Sequence, residues 1–383
     1  MKLSILLACI GIVLATRHCH DDPEPPQTYV FSNTRSSGPV QTNWTPKYSA
    51  CHHASEPLDK PRVMPQPNTT AWSKWHFDAV NQNNPNESIA FTFVLGTEYA
   101  LPKEGSKTGL VTVNVMFSFA DGTTKEVKID SGEGEAGKVV FQTTQYGSTA
   151  TWGNTGTRWS GNGLADFPTY AVEIESEEHG IHGTLELVST STGRYPCVTV
   201  PYLSENTTLQ TLSGLGWTNQ IPAAKAIAHF TIRSDERRKS TTLNFDNGLG
   251  YHDYLFGDRP YFSAVKLWQW GHALVTSSSS TASYSLIWFQ AADIASKTFT
   301  GVYVEEVGKD AEAQCADGDN ELLKLEDNDA GTYVKIRIGS DLTVDLVIKK
   351  QEVRPGRWVG PALATIEGSE WTGTGVVETL KSH

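Results

Sequence analysis

A chain of 383 residues is long enough for two domains, because a single hydrophobic core seldom grows past about 250–300 residues. Apolar residues make up 38% of the chain and charged residues 19%, which is typical of a folded globular protein and argues against intrinsic disorder. The formal net charge of −12 disfavours nucleic acids and anionic membrane surfaces as partners.

Residues 1–18 have the pattern of a secretory signal peptide. Lys2 supplies a short basic start, and residues 3–14 form an apolar run that is too short to span a bilayer. A buried first helix is the alternative, but no amphipathic pattern follows. We therefore expect a lumenal or secreted mature protein without a membrane span, beginning between residues 15 and 20. Four glycosylation sequons agree with this interpretation and begin at Asn43, Asn68, Asn86 and Asn206.

Four cysteines would remain after removal of the signal segment: Cys19, Cys51, Cys197 and Cys315. They are far apart and have no CxxC spacing, so a zinc site is disfavoured and no metal ligands are predicted. One or two disulfides are expected in an oxidising compartment, and the sequence leaves their pairing open.

Strand signals dominate the rest of the chain. Residues 17–70 are rich in Pro, Ser, Thr and Asn, which predicts an extended arm with short strands. Apolar or alternating runs bounded by turn residues then recur at roughly 8–12-residue spacing, which favours an all-β protein of sandwiches or barrels. The best helical candidate is residues 311–325. Strands are expected at residues 75–80, 89–95, 111–119, 184–188, 224–232, 284–289, 298–305, 333–338, 342–350 and 372–378.

A division between two domains is predicted near residues 203–216. This segment is rich in Ser, Thr, Asn and Gly, carries a sequon, and separates two halves that both contain many strand signals. We accordingly expect an N-terminal β domain over residues 19–210 and a C-terminal β domain over residues 211–383.

The most informative stretch is residues 248–289, in which a glycine-rich bend is predicted to lead into two aromatic strands joined by a serine-rich hairpin loop. Side chains alternate faces along a strand, so Trp268, Trp270 and His272 should point the same way. Two indoles and an imidazole on one face suit the wall of a site for a large, apolar, unsaturated ligand. The alternative is the core of a sandwich that contains one hydrogen-bonded histidine.

Polar side chains within other strands are candidates for chemistry. His76 and Asp78 share one face of their strand and could bind or polarise the polar head of a ligand; a solvated face is the alternative. Lys349 belongs to the more polar face of the strand at 342–350, which would face solvent or line a barrel. His252 and Asp253 could form an acid/base pair or part of a polar bend.

The sequence contains no GxSxG elbow, no HExxH motif and no GxGxxG opening a helix. No ligand spacing for a metal, a flavin or a nicotinamide is evident, so we predict that the protein works without a cofactor. The adjacent residues His52 and His53 lie in the irregular arm and are interpreted as surface residues.

Eight short segments follow one another in order through roughly residues 55–300, and together they resemble the fungal Diels–Alderases. These are decalin-forming pericyclases of polyketide pathways, related in fold to bacterial carotenoid hydratases. After about residue 300 the likeness is mainly one of strand pattern. The matching segments are residues 75–80 (WHFDAV), 183–187 (GTLEL), 195–197 (YPC), 216–222 (GWTNQIP), 250–253 (GYHD), 257–260 (GDRP), 268–272 (WQWGH) and 284–289 (YSLIWF).

The resemblance implies an N-terminal sandwich-like domain, a C-terminal lipocalin-like barrel and a pocket between them. It also implies an intramolecular [4+2] cycloaddition of a linear polyene, attached to a tetramic acid or a similar acyl group, to give a decalin. Such a reaction has no leaving group; a shaped pocket lowers its barrier by ordering the chain, and a hydrogen-bond donor stabilises the charge that grows on a carbonyl.

Roles for individual residues follow from the resemblance together with the strand pattern. Lys349 is the first candidate donor, because it is similar in strand position to a lysine of the family. His76 and Asp78 are further catalytic candidates. The expected contacts to the polyene are Trp217, Tyr251, Trp268, Trp270 and His272.

Two other function classes stay open at this point. The chain could be a non-catalytic lipocalin-like carrier of an apolar ligand. It could also be a lyase similar to the carotenoid hydratases, in which His252, Asp253 or Tyr251 moves a proton onto an alkene. A functional link to a polyketide synthase is expected if the pericyclase interpretation is right.

Overall fold

The structure is a computed structural model that describes residues 25–47, 56–132, 137–144, 147–163, 167–199, 206–233, 240–278, 281–318, 321–328, 331–339, 342–349 and 351–382. The predicted signal peptide, Cys19, Cys51 and the His52–His53 pair lie outside these ranges. Strands form nearly all regular structure in the described residues, which confirms the all-β prediction. No helix in this part of the chain is both long and apolar enough to cross a membrane.

The first part of the fold ends at Gly257. In chain order its strands are β1 (Gln27–Phe31), β2 (Gln41–Thr42), β3 (Val63–Met64), β4 (Trp72–Asn81), β5 (Ser88–Leu95), β6 (Val111–Ser118), β7 (Thr124–Asp130), β8 (Val139–Thr143), β9 (Ser148–Trp152), β10 (Thr157–Gly161), β11 (Thr169–Ser176), β12 (Ile181–Ser189), β13 (Arg194–Tyr195), β14 (Val198–Thr199), β15 (Gln210–Leu212), β16 (Leu215–Arg233) and β17 (Ser240–Gly257).

Most of these strands make one antiparallel sheet, the first sheet, in the order β1-β8-β9-β10-β11-β12-β16-β17-β4-β5-β6-β7. Strands β13 and β15 attach to β16, β14 attaches to β13, and β2 pairs with β3. The long strands β16 and β17 lie at the centre, and β17 pairs along its second half with β4. This pairing brings the polar residues of β4 and β17 side by side.

The second part follows the one-turn helix α1 (Tyr261–Ala264). Its strands are β18 (Val265–Ser277), β19 (Ser283–Asp293), β20 (Thr298–Glu306), β21 (Ala311–Asp317), β22 (Leu323–Asn328), β23 (Gly331–Ile338), β24 (Leu342–Ile348), β25 (Gln351–Arg354), β26 (Arg357–Ile366) and β27 (Ser369–Lys381). They form the second sheet in the order β21-β20-β19-β18-β27-β26-β24-β23-β22, with β25 paired to β26. Both sheets are curled into half-barrels.

Successive side chains of β4 point to opposite faces of the first sheet, and both faces are buried. Trp75 and Phe77 point into the aromatic core enclosed by the first sheet. His76 and Asp78 point the other way, toward the second sheet, where Asp78 pairs with Arg357 of β26. All of these residues are buried, so the solvated-face alternative for His76 and Asp78 is wrong. The second sheet covers the face that an isolated sheet would expose to water.

The segment predicted as a glycine-rich bend is instead part of β17. Gly250 has an extended backbone, and a Cβ atom placed on it would lie 2.4 Å from Cδ2 of Leu187. The glycine therefore makes room for a packed side chain. The predicted hairpin is confirmed, since β18 pairs antiparallel with β19.

Two features of the organisation differ from the predictions. Residues 311–325 contain the strands β21 and β22, not a helix, because the alternating exposure of β21 suits an edge strand paired with β20. The two sheets divide between Gly257 and Val265, later than the predicted division at residues 210/211. Strands β16 and β17 lie after that predicted division, yet they pair with β12 and β4 of the first sheet.

A disulfide joins the two parts of the fold. Cys197, in the turn between β13 and β14, is bonded to Cys315 of β21, and the two Cα atoms are 5.1 Å apart. The bond connects the first sheet to an edge strand of the second sheet. The expected disulfide is thereby present, with a pairing that the sequence had left open.

Candidate functional site

A cavity of about 590 Å³ lies between the two sheets. Strands β4 and β17 supply its wall from the first sheet, and β18, β27 and the β25–β26 turn supply its wall from the second. Residues 101–104, which follow β5, and helix α1 contribute further lining residues. Its lining residues are Trp72, Lys74, His76, Leu101, Pro102, Lys103, Glu104, Glu126, Asp253, Leu255, Tyr261, Phe262, Trp268, Trp270, Arg354, Pro355, Gly356, Trp358, Glu378, Thr379, Leu380 and Lys381.

Much of the apolar lining of the cavity is aromatic. Trp268 and Trp270 project from the same face of β18, as alternation requires. The Trp72 ring lies 5.8 Å from that of Tyr261. Trp268 also packs edge-on against Trp217, at a centroid distance of 5.9 Å. These rings restrict how an unsaturated ligand could fold inside the cavity.

A connected set of charged groups lies in the cavity lining or directly behind it and is here called the polar wall. Its members are Lys74, His76, Asp78, Glu104, Arg354, Arg357 and Glu378. At its outer end, Lys74 Nζ lies 2.8 Å from Glu104, and Arg354 bridges Glu104, at 3.3 Å, to Glu378. The pKa of Glu104 is lowered, because attraction to Lys74 and Arg354 outweighs the effect of burial. Buried charges of both signs thus stabilise each other.

The inner end of the polar wall is centred on Asp78. Arg357 of β26 bonds to one oxygen of this carboxylate and lies 3.4 Å from Glu378. His76 and His272 lie 3.1 and 3.2 Å from Asp78. Burial opposes ionisation of Asp78, but Arg357 and the two imidazoles outweigh it and hold its pKa well below the ordinary value.

The pKa of Glu378 is lowered in the same way, against the effect of burial, by Arg354 and Arg357. Trp270 donates from Nε1 to Glu378 at 3.1 Å. This hydrogen bond fixes the Trp270 indole against the polar wall.

Asp253 of β17 differs from Glu104 and Glu378 of the same cavity. It sits opposite His76 in the β17–β4 pair and is 2% exposed. Its Oδ2 accepts hydrogen bonds from Trp217 Nε1 at 2.9 Å and from Tyr251 Oη at 2.8 Å, while Oδ1 has no partner. Burial raises the pKa of Asp253, and the nearby His76 and these hydrogen bonds only partly offset that effect.

The structure brings most of the predicted site residues together. His76, Trp268 and Trp270 line the cavity. Asp78 and His272 lie behind them on the inner polar wall.

Tyr251 and Trp217 form the layer next to Asp253. Tyr251 stacks on His272 with a centroid distance of 4.4 Å, and Trp217 donates to Asp253. Seven of the eight predicted residues are thus found in or directly behind the cavity wall.

Lys349 is the eighth, and the structure does not bring it to the cavity. It is exposed beyond the end of β24, and its backbone N–H donates to the carbonyl oxygen of Pro361 at 3.0 Å. The alternate residues Val344, Leu346 and Ile348 fill the core of the second sheet. Because the core takes that face, the face carrying Lys349 points outward and does not line a barrel.

His252 does not form an acid/base pair with Asp253. The two adjacent side chains point to opposite sides of β17, and His252 stacks on Phe77 inside the first sheet, 3.7 Å between ring centroids. Its Nε2 lies 3.4 Å from Asp59, and its Nδ1 lies 2.9 Å from the carbonyl oxygen of His76. This arrangement belongs to the core of the first sheet.

Several cavity residues were not predicted. Lys74 shares the His76–Asp78 face of β4 by simple alternation, so its position in the sequence could have identified it. Glu378 follows the buried pair Val376–Val377 in β27, where a charge within an apolar run signals a buried partner. Arg354 and Glu104 lie in or near turns, and no sequence pattern connects them.

A model of the Diels-Alderase-like family matches residues 29–274, which include both strands of the first-sheet cavity wall and most of β18. This chain belongs to the Diels-Alderase-like family. The resemblance inferred from the sequence motifs is confirmed at this level.

Two fungal relatives are similar in sequence. Quinolone epoxide rearrangement protein asqO of Emericella nidulans is 30% identical over 259 residues, which cover 66% of this chain. Quinolone epoxide rearrangement protein penF of Penicillium thymicola is 29% identical over 262 residues, which cover 67% of this chain. The matches span 62% and 66% of the lengths of these relatives.

Crystal structures of CghA share the fold. CghA superimposes with a TM-score of 0.64 at 14% identity, covering 94% of this chain and 99% of that chain. The complex of CghA with Sch210972 gives a TM-score of 0.62 at 15% identity, covering 94% and 100%. At these identities the comparison supports the two-sheet architecture alone.

Proposed function

We propose that this member of the Diels-Alderase-like family is an isomerising enzyme of secondary metabolism, which rearranges an unsaturated small molecule in the cavity between the sheets. One observation carries the proposal: aromatic rings and buried charged groups line the same cavity of about 590 Å³. The aromatic rings would order an unsaturated chain, and the polar groups would stabilise charge that grows on a substrate oxygen.

The specific reaction we propose is an intramolecular [4+2] cycloaddition of a polyene that carries a tetramic acid or similar acyl group, giving a decalin. Trp268 and Trp270 would hold the folded polyene, and a polar group of the cavity lining would donate a hydrogen bond to the carbonyl conjugated to the dienophile. All atoms of the substrate stay in the product, so the chemistry requires no leaving group and no redox cofactor.

A second candidate reaction is the acid-assisted rearrangement of an epoxide. Its support is the name of both sequence relatives together with the raised pKa of Asp253, a carboxyl group of the cavity wall. A neutral carboxyl group could protonate an epoxide oxygen as its C–O bond breaks.

Incubation of the purified protein with each substrate class separates these proposals. With a linear polyene tetramic acid, a cyclase gives a product of equal mass that has lost two C=C bonds. With a quinolone epoxide, a rearrangement enzyme also gives an isomer of equal mass. A carrier returns both compounds unchanged, and a hydratase adds the mass of water. Heat-denatured protein controls for the uncatalysed reactions in liquid chromatography with mass detection.

We further propose that the chain follows the secretory route, carries glycans, and acts beside a polyketide synthase. The Cys197–Cys315 disulfide supports an oxidising compartment, and the sequon residues Asn43 and Asn206 are exposed. Mass spectrometry of protein made in a fungal host tests the first two points: an intact Met1 and no glycan mass would contradict them.

A further inference from the structure

The oxygen atoms of Asp253 differ in their surroundings, although they belong to one carboxyl group. Oδ2 accepts two hydrogen bonds, from Trp217 and Tyr251, which use both of its lone-pair positions. Oδ1 is buried and has no partner. If the group carries a proton, that proton therefore belongs on Oδ1.

Charged groups approach Asp253 from several elements of the fold. Lys74 and His76 lie on the paired strand β4 and favour the ionised form, but burial exceeds their effect. The guanidinium of the buried Arg194 of β13 lies 4.8 Å over the Trp217 ring and has no hydrogen-bond partner, and its attraction to Asp253 also favours the ionised carboxylate. Glu104 and Glu378 line the same cavity as anions, already paired with Lys74, Arg354 and Arg357. No cation is hydrogen-bonded to Asp253 in the described part of the chain.

We infer that Asp253 is a catalytic residue that, in its protonated form, donates its Oδ1–H to an oxygen atom of the substrate. The substrate part of this inference rests on the proposed function. In a cycloaddition the O–H group would hydrogen-bond the carbonyl of the dienophile, and the proton would stay on Asp253. In an epoxide rearrangement the proton would pass to the epoxide oxygen as the C–O bond breaks, leaving the carboxylate to take a proton back from the carbocation formed.

The protonation state can be measured without any substrate. Infrared difference spectra of the full chain, wild type minus Asp253→Asn, should contain the carbonyl band of a neutral carboxyl group above about pH 4, where an ordinary aspartate is ionised. That band should vanish as the pH rises through the raised pKa of Asp253. Identical carboxyl bands in the two proteins just above that pH would overturn the inference.

A matched control is Glu305 of β20, a second buried carboxyl group. Burial raises its pKa as well, but it is not part of the cavity lining. Glu305→Gln should leave turnover unchanged. An equal loss of turnover in Glu305→Gln and Asp253→Asn would show that any buried acid matters only for the fold, and would overturn the catalytic assignment.

Turnover is then measured with a polyene tetramic acid and with a quinolone epoxide. Asp253→Leu removes the donor and should slow conversion by about 10²–10³-fold. Asp253→Asn keeps two acceptor sites on its oxygen and places an N–H donor where Oδ1 stood. Asn should therefore support a cycloaddition within roughly tenfold of wild type but reduce an epoxide rearrangement by about 10²–10⁴-fold, because an amide transfers no proton.

The pH profile separates catalysis from folding. The wild-type rate should fall as the pH rises through the raised pKa, and Asp253→Asn should lose this fall. A wild-type rate that rises over that range, or Asp253→Leu with wild-type turnover, would overturn the inference. If wild type converts neither compound while the infrared band is present, the proposed function fails and the protonated carboxyl group stands as the hydrogen-bond donor of a binding site.

Discussion

Asp78 shows how single residues stabilise the junction between the sheets. Its carboxylate belongs to β4 of the first sheet, while Arg357 and His272 come from β26 and β18 of the second. Removing one member of a buried ion pair leaves the other charge without compensation, which costs about 3–5 kcal/mol. Replacing Asp78 therefore tests how strongly the ion pairs of the polar wall hold the two sheets together.

Asp78→Asn should lower the free energy of unfolding at pH 7 by about 3–5 kcal/mol. The pKa of Asp78 is lowered in the folded state, so its contribution is complete above the unfolded pKa of about 3.9 and is lost as the pH falls toward the folded pKa. The difference between Asp78→Asn and wild type should therefore shrink below about pH 4. Urea unfolding at several pH values measures it, and a difference that grows on acidification would contradict this account.

Two lysines give a matched comparison of whether a lysine donates a hydrogen bond to the substrate. Lys74 lines the cavity, whereas Lys349 is exposed outside it. Lys74→Met should slow conversion roughly tenfold or more, since a hydrogen bond from a charged donor is worth about 1.5–3 kcal/mol. Lys349→Met should change the rate by no more than about twofold, as a surface substitution does. Slow turnover in Lys349→Met with normal turnover in Lys74→Met would restore the role that the family resemblance suggests for Lys349.

At the scale of elements, the alternation of side chains along a strand decides whether an aromatic residue faces the cavity or the core of the second sheet. In β18, Trp270 faces the cavity, and in the neighbouring β19, Trp288 fills the core of the second sheet. Both indoles are buried, at 5% and 1% exposure, so they form a matched pair for separating packing from substrate shaping.

Trp270→Ala should loosen stereocontrol, because the enlarged cavity admits more than one folded conformer of the substrate. Trp288→Ala should keep the product ratio of the wild type. Each change is expected to cost about 3–5 kcal/mol in stability, so both variants are assayed at a temperature where circular dichroism shows them folded. Chiral chromatography of the products decides: equal loss of selectivity in both variants would mean that general loosening is responsible.

At the scale of the whole molecule, the disulfide between Cys197 and Cys315 links the two sheets and closes a loop with 118 residues of sequence separation. In the chain-entropy account, a loop of this length stabilises the folded state by about 4–5 kcal/mol. We expect a reductant to lower the free energy of unfolding of the wild type by this amount. The double variant Cys197→Ser/Cys315→Ser should be equally unstable with and without reductant. A wild type unaffected by reductant would contradict a stabilising bond.

The sequence by itself determined the all-β class, the family, and which side chains share a face. Each of these depends on local information: strands have a period of two residues, and the family motifs are short and occur in order. The common face of Trp268, Trp270 and His272, and that of His76 and Asp78, could therefore be predicted correctly. The same rule would have added Lys74, two residues before His76.

Only the tertiary structure decided which of those faces is buried and what each polar group meets. Arg357 is 279 residues from its partner Asp78, and Arg354 is 250 residues from Glu104, so no local pattern relates them. The second sheet covers the polar face of β4, which turns a face that could have been solvated into the wall of a cavity. The same covering removes water from Asp253 and so raises its pKa, an effect that depends on the whole fold and not on the neighbours of Asp253 in the chain.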